Sequence, residues 1–185
     1  MSKYIKTENI SQINKEKVFF DANIWIFIYC EIANSKKIKI DKYSRVFKSL
    51  IKAGNPIVID LAIISEFVNR YLRIAYSNHL RKNKLKSKAF DYKRHYRITD
   101  DFNEAWENVC NIVNHRILPY AEISNFEYNQ KSLGALLDST KLDTDFNDNH
   151  IMNLCRRNKM YLLTDDGDFK KSGINVISAN QNYWK

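Results

Sequence analysis

Glycine and proline are scarce in this 185-residue chain, at four and two residues. That scarcity excludes collagen-like and low-complexity architectures and argues against a turn-dense all-β fold. No apolar run approaches the roughly 18 residues of a membrane span, and the opening MSKYIKTENI has no signal-peptide pattern. Only three cysteines occur, Cys30, Cys110 and Cys155, far apart in the sequence. An odd, dispersed set suits free thiols in a reducing compartment better than a disulfide framework or a zinc site. G-x-x-x-x-G-K-[ST], G-x-G-x-x-G and G-x-S-x-G are all missing, so nucleotide-binding loops and a nucleophile elbow have no support. The expectation is a soluble cytoplasmic protein with no membrane partner.

Apolar residues make up 44% of the chain, enough for a folded core, and no internal repeat or Gly/Ser/Pro linker divides it. One domain over residues 1–185 is the economical reading. The formal net charge is +9, unevenly spread. Residues 70–97 hold ten bases against a single acid, Asp91, whereas residues 138–168 are net acidic. A basic surface with an acidic focus suits a polyanionic substrate whose cleavage a metal mediates, or simply a solvated helix face.

Strands and helices alternate along the chain. Val18-Phe19-Phe20 reads as a strand, followed by a helix over Ile24–Tyr29 with Asn23 as its cap. Helical spacing recurs over Asp41–Ala53 until Gly54-Asn55-Pro56 breaks it, and Ile57-Val58-Ile59 reads as a buried strand. Ile63, Ile64, Phe67, Val68, Tyr71, Leu72 and Ala75 trace an amphipathic helix, with Asp60 at its cap. Residues 78–97 read as a basic helical stretch, and a further helix covers Phe102–Ile117. Together they form a basic helical insertion at about 70–117. Leu118-Pro119-Tyr120 reads as extended. Ser124-Asn125-Phe126-Glu127 fits a capping box before a helix to about Leu137. Asn147–Asn158 is helical, and Met160–Leu163 and Asn175–Ile177 are strands. The class is α/β, with a mostly parallel central sheet flanked by helices.

In such sheets ligands bind beyond the carboxyl ends of the strands, where several acids of this chain fall. Asp21 follows the first strand directly, as a site residue or as a helix N-terminal charge. Asp165, Asp166 and Asp168 follow Tyr161-Leu162-Leu163, an oxygen-rich cluster that a hard cation prefers and that a turn could equally solvate. At 100° per residue, Ile151, Met152 and Cys155 fall within about 60° of Asp148, which puts that carboxylate on the buried face of its helix. Burying it costs several kcal/mol unless a cation or strong donors compensate. Asp143 and Asp145 read as loop or cap residues, with Asp145 near enough to join the cluster. On geometry alone Glu66 is as readily a surface partner of Arg70 at i+4. His79, His95, His115 and His150 show no ligand spacing and receive no catalytic role.

In chain order the acids stand in FFDANIWI, IISEFVNR, NDNHIMNLC and LLTDDGDF. The ordered set resembles the PIN-domain family of metal-dependent ribonucleases, VapC-type toxins in particular, over roughly residues 17–76 and 124–179. The resemblance implies a three-layer PIN-like fold. It implies that Asp21, Glu66, Asp148 and Asp166 hold one or two Mg²⁺ or Mn²⁺ ions and carry catalysis, with Asn23, Thr164, Asp168 and Asp145 in support. It implies an endoribonuclease that leaves a 5′-phosphate and a 3′-hydroxyl. The partners to expect are RNA, a cognate antitoxin protein if the chain is the toxin of a type II pair, and a second copy in a homodimer. Small toxins of this kind lack so long and basic a middle region. There Arg70, Arg73, Arg81, Lys82, Lys84, Lys86, Lys88, Lys93, Arg94 and Arg97 are candidate phosphate contacts. Tyr76, Phe90, Tyr92 and Tyr96 either stack on bases or pack the insertion onto the domain. The alternatives are a non-catalytic PIN-like nucleic-acid-binding module and an aspartate-nucleophile phosphoryl-transfer enzyme. The second lacks the usual carboxylate two positions after Asp21.

Overall fold

A computed structural model describes residues 3–33, 35–124, 128–138, 145–170 and 172–184. Among them, Val-Phe-Phe after Lys17 forms the middle of a sheet. This strand, β2 (Val18–Phe20), is completely buried and pairs on both sides, with β3 (Ile57–Ile59) and with β5 (Tyr161–Leu163). Three consecutive apolar residues suit a strand covered on both faces. The sheet extends to β4 (Ala121–Ile123) beyond β3, and to β6 (Asn175–Ser178) and β1 (Tyr4–Lys6) beyond β5. Its order is β1-β6-β5-β2-β3-β4, and every neighbouring pair is parallel. The expected α/β class with helices flanking a parallel sheet is what the chain adopts.

Among the described residues the six α-helices are α1 (Ala22–Tyr29), α2 (Lys37–Lys52), α3 (Leu61–Lys82), α4 (Asp100–Ile112), α5 (Gln130–Asp138) and α6 (Phe146–Arg157). Helices α1 and α2 pack together, α1 packs on α3, and α3 on α4, while α5 packs on α6. The chain steps outward from β2 through β3 to β4, then returns to β5 on the other side of β2. Right-handed crossovers therefore put the α1–α4 group and the α5–α6 pair on opposite faces of the sheet. The reversal falls between β2 and β5, so the natural crevice opens at their carboxyl ends.

One contiguous apolar cluster fills the interior, from Ile5 in β1 to Tyr183 near the C-terminus. Phe20 lies tilted against Trp25 at 4.9 Å between ring centres and meets Phe47 edge-on at 5.9 Å. Burying each such side chain contributes about 1.5–3 kcal/mol. Tyr92, Tyr96, Ala105 and Val109 belong to the same cluster, so the 70–117 region is sewn into the core. The three cysteines are free thiols. Among the described residues no helix is long and apolar enough to cross a membrane.

Several local expectations need correction. The stretch 83–95 is not helical: α3 ends at Lys82, and turns lead to a single 3₁₀ turn at Tyr96–Ile98. The Asp91 carboxylate accepts the Lys93 and Arg94 amides at 2.8 Å each, and the Asp91 amide donates to His95 Nδ1 at 2.8 Å. These side-chain bonds offer the backbone an alternative to a helix. Leu118–Tyr120 is a 3₁₀ turn, and the extended piece begins one residue later as β4. The strand β1, absent from the sequence reading, pairs only with β6 at the edge of the sheet. Asp21, not Asn23, caps α1. Asn125, Phe126 and Glu127 of the expected capping box lie outside the described residues, as does Asp143. The start of α5 is instead bonded reciprocally between Asn129 and Ser132, each side-chain oxygen accepting the other's amide at 2.9 Å.

Candidate metal centre at the carboxyl edge of the sheet

The parallel register sets Asp21 beside Thr164. Phe20 pairs with Leu163, and the Asp21 amide donates to the Leu163 carbonyl at 3.1 Å. Thr164 is completely buried, and its hydroxyl donates to Asp21 Oδ2 at 2.6 Å. The same carboxylate oxygen accepts from Asn23 Nδ2 at 2.5 Å. Thr164 Oγ1 in turn accepts the Asp166 amide at 2.9 Å and Asn23 Nδ2 at 3.2 Å. Asn23 Oδ1 accepts the Asp165 amide at 3.2 Å. Asn23 and Thr164 thus tie the start of α1 to the loop after β5, and both hold Asp21 still.

Asp21 is only 5% exposed. Burial pushes its carboxyl up to about 6, opposed by the Thr164 hydrogen bond and raised further by the charges of Glu66 and Asp166. Asp148, half-buried in the first turn of α6, is pushed up to about 7. Burial is again the first cause, followed by the charges of Asp145, Asp166, Asp21 and Asp168. These mutual influences bring Asp21, Glu66, Asp148 and Asp166 into one electrostatic neighbourhood, although they come from four separate parts of the chain. Asp145 caps α6, its Oδ1 accepting the Asp148 amide at 2.8 Å. Asp166 Oδ1 accepts the Asp168 amide at 3.0 Å, which turns the loop.

Two of the acids carry structural partners. Glu66 pairs with Arg70 at 3.3 Å, the surface pair that helical spacing allows. Asp165 is withdrawn from the cluster: Lys39 Nζ binds its Oδ2, and the Tyr43 hydroxyl donates to its Oδ1 at 2.7 Å. The Ala179 amide donates to the Tyr43 oxygen at 3.1 Å. Asn180 Nδ2 donates to the Asp165 carbonyl at 2.6 Å, and the Tyr183 hydroxyl donates to the Asp166 carbonyl. Residues after β6 therefore brace the acidic loop. Sequence reasoning missed this, because Lys39, Tyr43, Asn180 and Tyr183 carry no local signal of what they will meet.

A second polar group lies beside the cluster. His150 Nε2 bonds to Asp60 Oδ2, and His150 Nδ1 to the Tyr128 hydroxyl at 2.6 Å. Asp60 Oδ1 caps α3 through the Ile63 amide at 2.9 Å, as expected. His150 thereby joins α6 to the start of α3. Among the described residues, no group of three or more His, Cys, Asp or Glu side chains is gathered as a ready-made metal site. The donor set itself is oxygen-only, which suits a hard divalent cation.

The ten basic side chains of 70–97 are all exposed. The interleaved aromatics are not free for bases. Tyr96 is 1% and Tyr92 8% exposed, and both contact Tyr76 at 5.3 Å between ring centres. Tyr96 also meets Phe102 edge-on at 5.6 Å, and Phe90 stacks on His79 at 5.3 Å. These rings pack the insertion onto α3 and α4, so base stacking on Tyr92 and Tyr96 is ruled out by burial.

No family model matches the chain, and no curated protein matches it.

Proposed function

We propose that this protein is a PIN-like, metal-dependent endoribonuclease that hydrolyses RNA phosphodiester bonds. The observation that supports the reading is that Asp21 and Asp148, near the β2/β5 switch point, are both held well above their ordinary range, by burial first and then by neighbouring acids that include Glu66 for Asp21 and Asp166 for both. Carboxyls raised by burial and then by one another's charge are costly to ionise, a cost that a divalent cation would relieve. Asp21, Glu66, Asp148 and Asp166 would hold Mg²⁺ or Mn²⁺, with Glu66 exchanging its pair with Arg70. Bound there, such an ion supplies a more acidic water and neutralises charge developing on the phosphate. Thr164 and Asn23 orient Asp21, while Asp145 and Asp168 shape the loop and cap on which Asp148 and Asp166 stand. In the reaction a water oxygen bonds to phosphorus and the bond to the 3′ oxygen breaks. The products are a 5′-phosphate and a 3′-hydroxyl. The toxin role, with a cognate antitoxin protein as partner, is part of the same proposal.

The test is cleavage of mixed RNA with Mn²⁺ or Mg²⁺, with EDTA, and with the Asp21→Asn and Asp148→Asn variants. Metal-dependent cleavage abolished by EDTA and by either substitution is the expected result. Binding without cleavage under every condition would favour the second reading, a non-catalytic nucleic-acid-binding module. That reading draws on the absence of a gathered metal cluster among the described residues.

A further inference from the structure

Arg73 and Arg97 differ from the other eight cations of the basic stretch in how they are held. The Arg73 guanidinium lies 4.0 Å from the centre of the Tyr92 ring, and that of Arg97 lies 5.5 Å from the same ring. Tyr92 is itself buried, wedged against Tyr76 and Tyr96. The Arg97 amide donates to the Tyr92 carbonyl at 3.1 Å, which fixes the turn carrying both residues. Neither arginine is in an ion pair among the described residues. An aromatic face attracts a guanidinium without cancelling its charge. A guanidinium held over a ring face can keep its N–H edge free, the edge that grips a phosphate through paired hydrogen bonds.

The position on α3 matters as much as the holding. Glu66, Arg70 and Arg73 stand at i, i+4 and i+7, one row on one helix face. A surface depression lined by Ser65, Glu66, Asn69, Arg70, Arg73 and Asn147 follows that row and reaches the neighbour of Asp148. Glu66 and Arg73 are seven residues apart, about 10 Å along the helix axis.

We infer that Tyr92, Arg73 and Arg97 form a preorganised anchor for the sugar-phosphate backbone of the RNA, a few nucleotides from the carboxylates and joined to them by the Arg70 side of α3. The anchor rests on the reading of RNA as the substrate. Tyr92 is its positioning residue; the two arginines make the contact. The more numerous lysines on the 83–93 turns add only a diffuse field, because no ring orders them.

Anisotropy of a fluorescent oligouridylate bound to the protein in EDTA tests this. Arg73→Lys and Arg97→Lys keep the charge but lose the stacked, forked geometry, and each is expected to weaken binding roughly threefold to tenfold. Lys86→Ala and Lys88→Ala remove a charge each and are expected to cost less than about twofold. Matching melting temperatures for all four variants secure the comparison. Equal losses for the lysine-to-alanine and arginine-to-lysine variants would overturn the anchor. So would no binding of oligouridylate by the parent protein, which would point to an acidic protein surface as the ligand of the arginines. The nuclease reading fails separately. If the parent binds with the expected variant pattern but never cleaves RNA when Mn²⁺ is restored, the anchor stands and the metal centre falls.

Discussion

Replacing Asp21 by Asn gives the sharpest test of the electrostatics at the sheet edge. The Asp21 carboxyl is pushed from an ordinary 3.8 up to about 6, first by burial and then by neighbouring acids. Being protonated more readily folded than unfolded, it contributes most to stability at low pH. That contribution disappears as the pH rises from about 4 through about 6. A shift of somewhat over two units corresponds to about 3 kcal/mol. Asn escapes this cost. Its carbonyl oxygen can take the place of Oδ2 and keep the bonds from Thr164 and Asn23, now to a neutral acceptor. Its amide replaces Oδ1, which accepts the Asn23 backbone amide at a long 3.4 Å. Weaker and lost hydrogen bonds return about 1–2 kcal/mol. The metal-free variant should therefore be more stable than the parent by about 1–2 kcal/mol near neutral pH, or about 3–6 °C in melting temperature. Well below pH 4, where the parent carboxyl is protonated in both states, the variant should be equal or less stable. Thermal melts followed by circular dichroism in EDTA across this pH range give the answer. A difference between the two proteins that does not change with pH, or a variant less stable throughout, would refute the argument that Asp21 is held protonated by its buried, acidic surroundings.

The remaining predictions concern the same edge. Excess Mn²⁺ should raise the parent's melting temperature at neutral pH by about 5 °C or more while leaving Asp21→Asn nearly unmoved, and a melt indifferent to the ion would count heavily against a metal centre. Thr164→Val leaves the Asp21 oxygen, the Asp166 amide and an Asn23 donor without the hydroxyl they share. It should cost about 1–3 kcal/mol in denaturant melts, move the Asp21 titration upward, and lower any metal-dependent cleavage about tenfold or more. Tyr43→Phe removes the donor to Asp165 and the acceptor of the Ala179 amide. A loss of about 1–3 kcal/mol is expected, and no loss would show that water replaces the hydroxyl there.

How much was legible beforehand differs from residue to residue. The strand Val18–Phe20 and the acid behind it were plain, because a fully buried parallel strand writes itself as an unbroken apolar run. The caps at Asp60 and Asp145 were equally local, each set by one side chain meeting an amide within three residues. The 83–95 turns read as helix from sequence. Basic composition looks helical until Asp91 binds its own neighbours, and the burial of Tyr92 and Tyr96 depends on α3 and α4 arriving beside them. Asp165 and Asp166 are adjacent and chemically identical, yet one is neutralised by Lys39 and Tyr43 while the other faces the cluster.

The sequence alone determined the alternation of strands and helices, the buried centre of the sheet, and the acids that end its strands. Those are short-range properties, set by side-chain polarity and period. Tertiary structure alone decided which acids share a field, which cations are spoken for, and that Tyr92 orders two arginines instead of meeting a base. These depend on strand order and on contacts such as that between Asp21 and Thr164, 143 positions apart. No local pattern encodes such pairings, because their energy exists only once the sheet has closed around them.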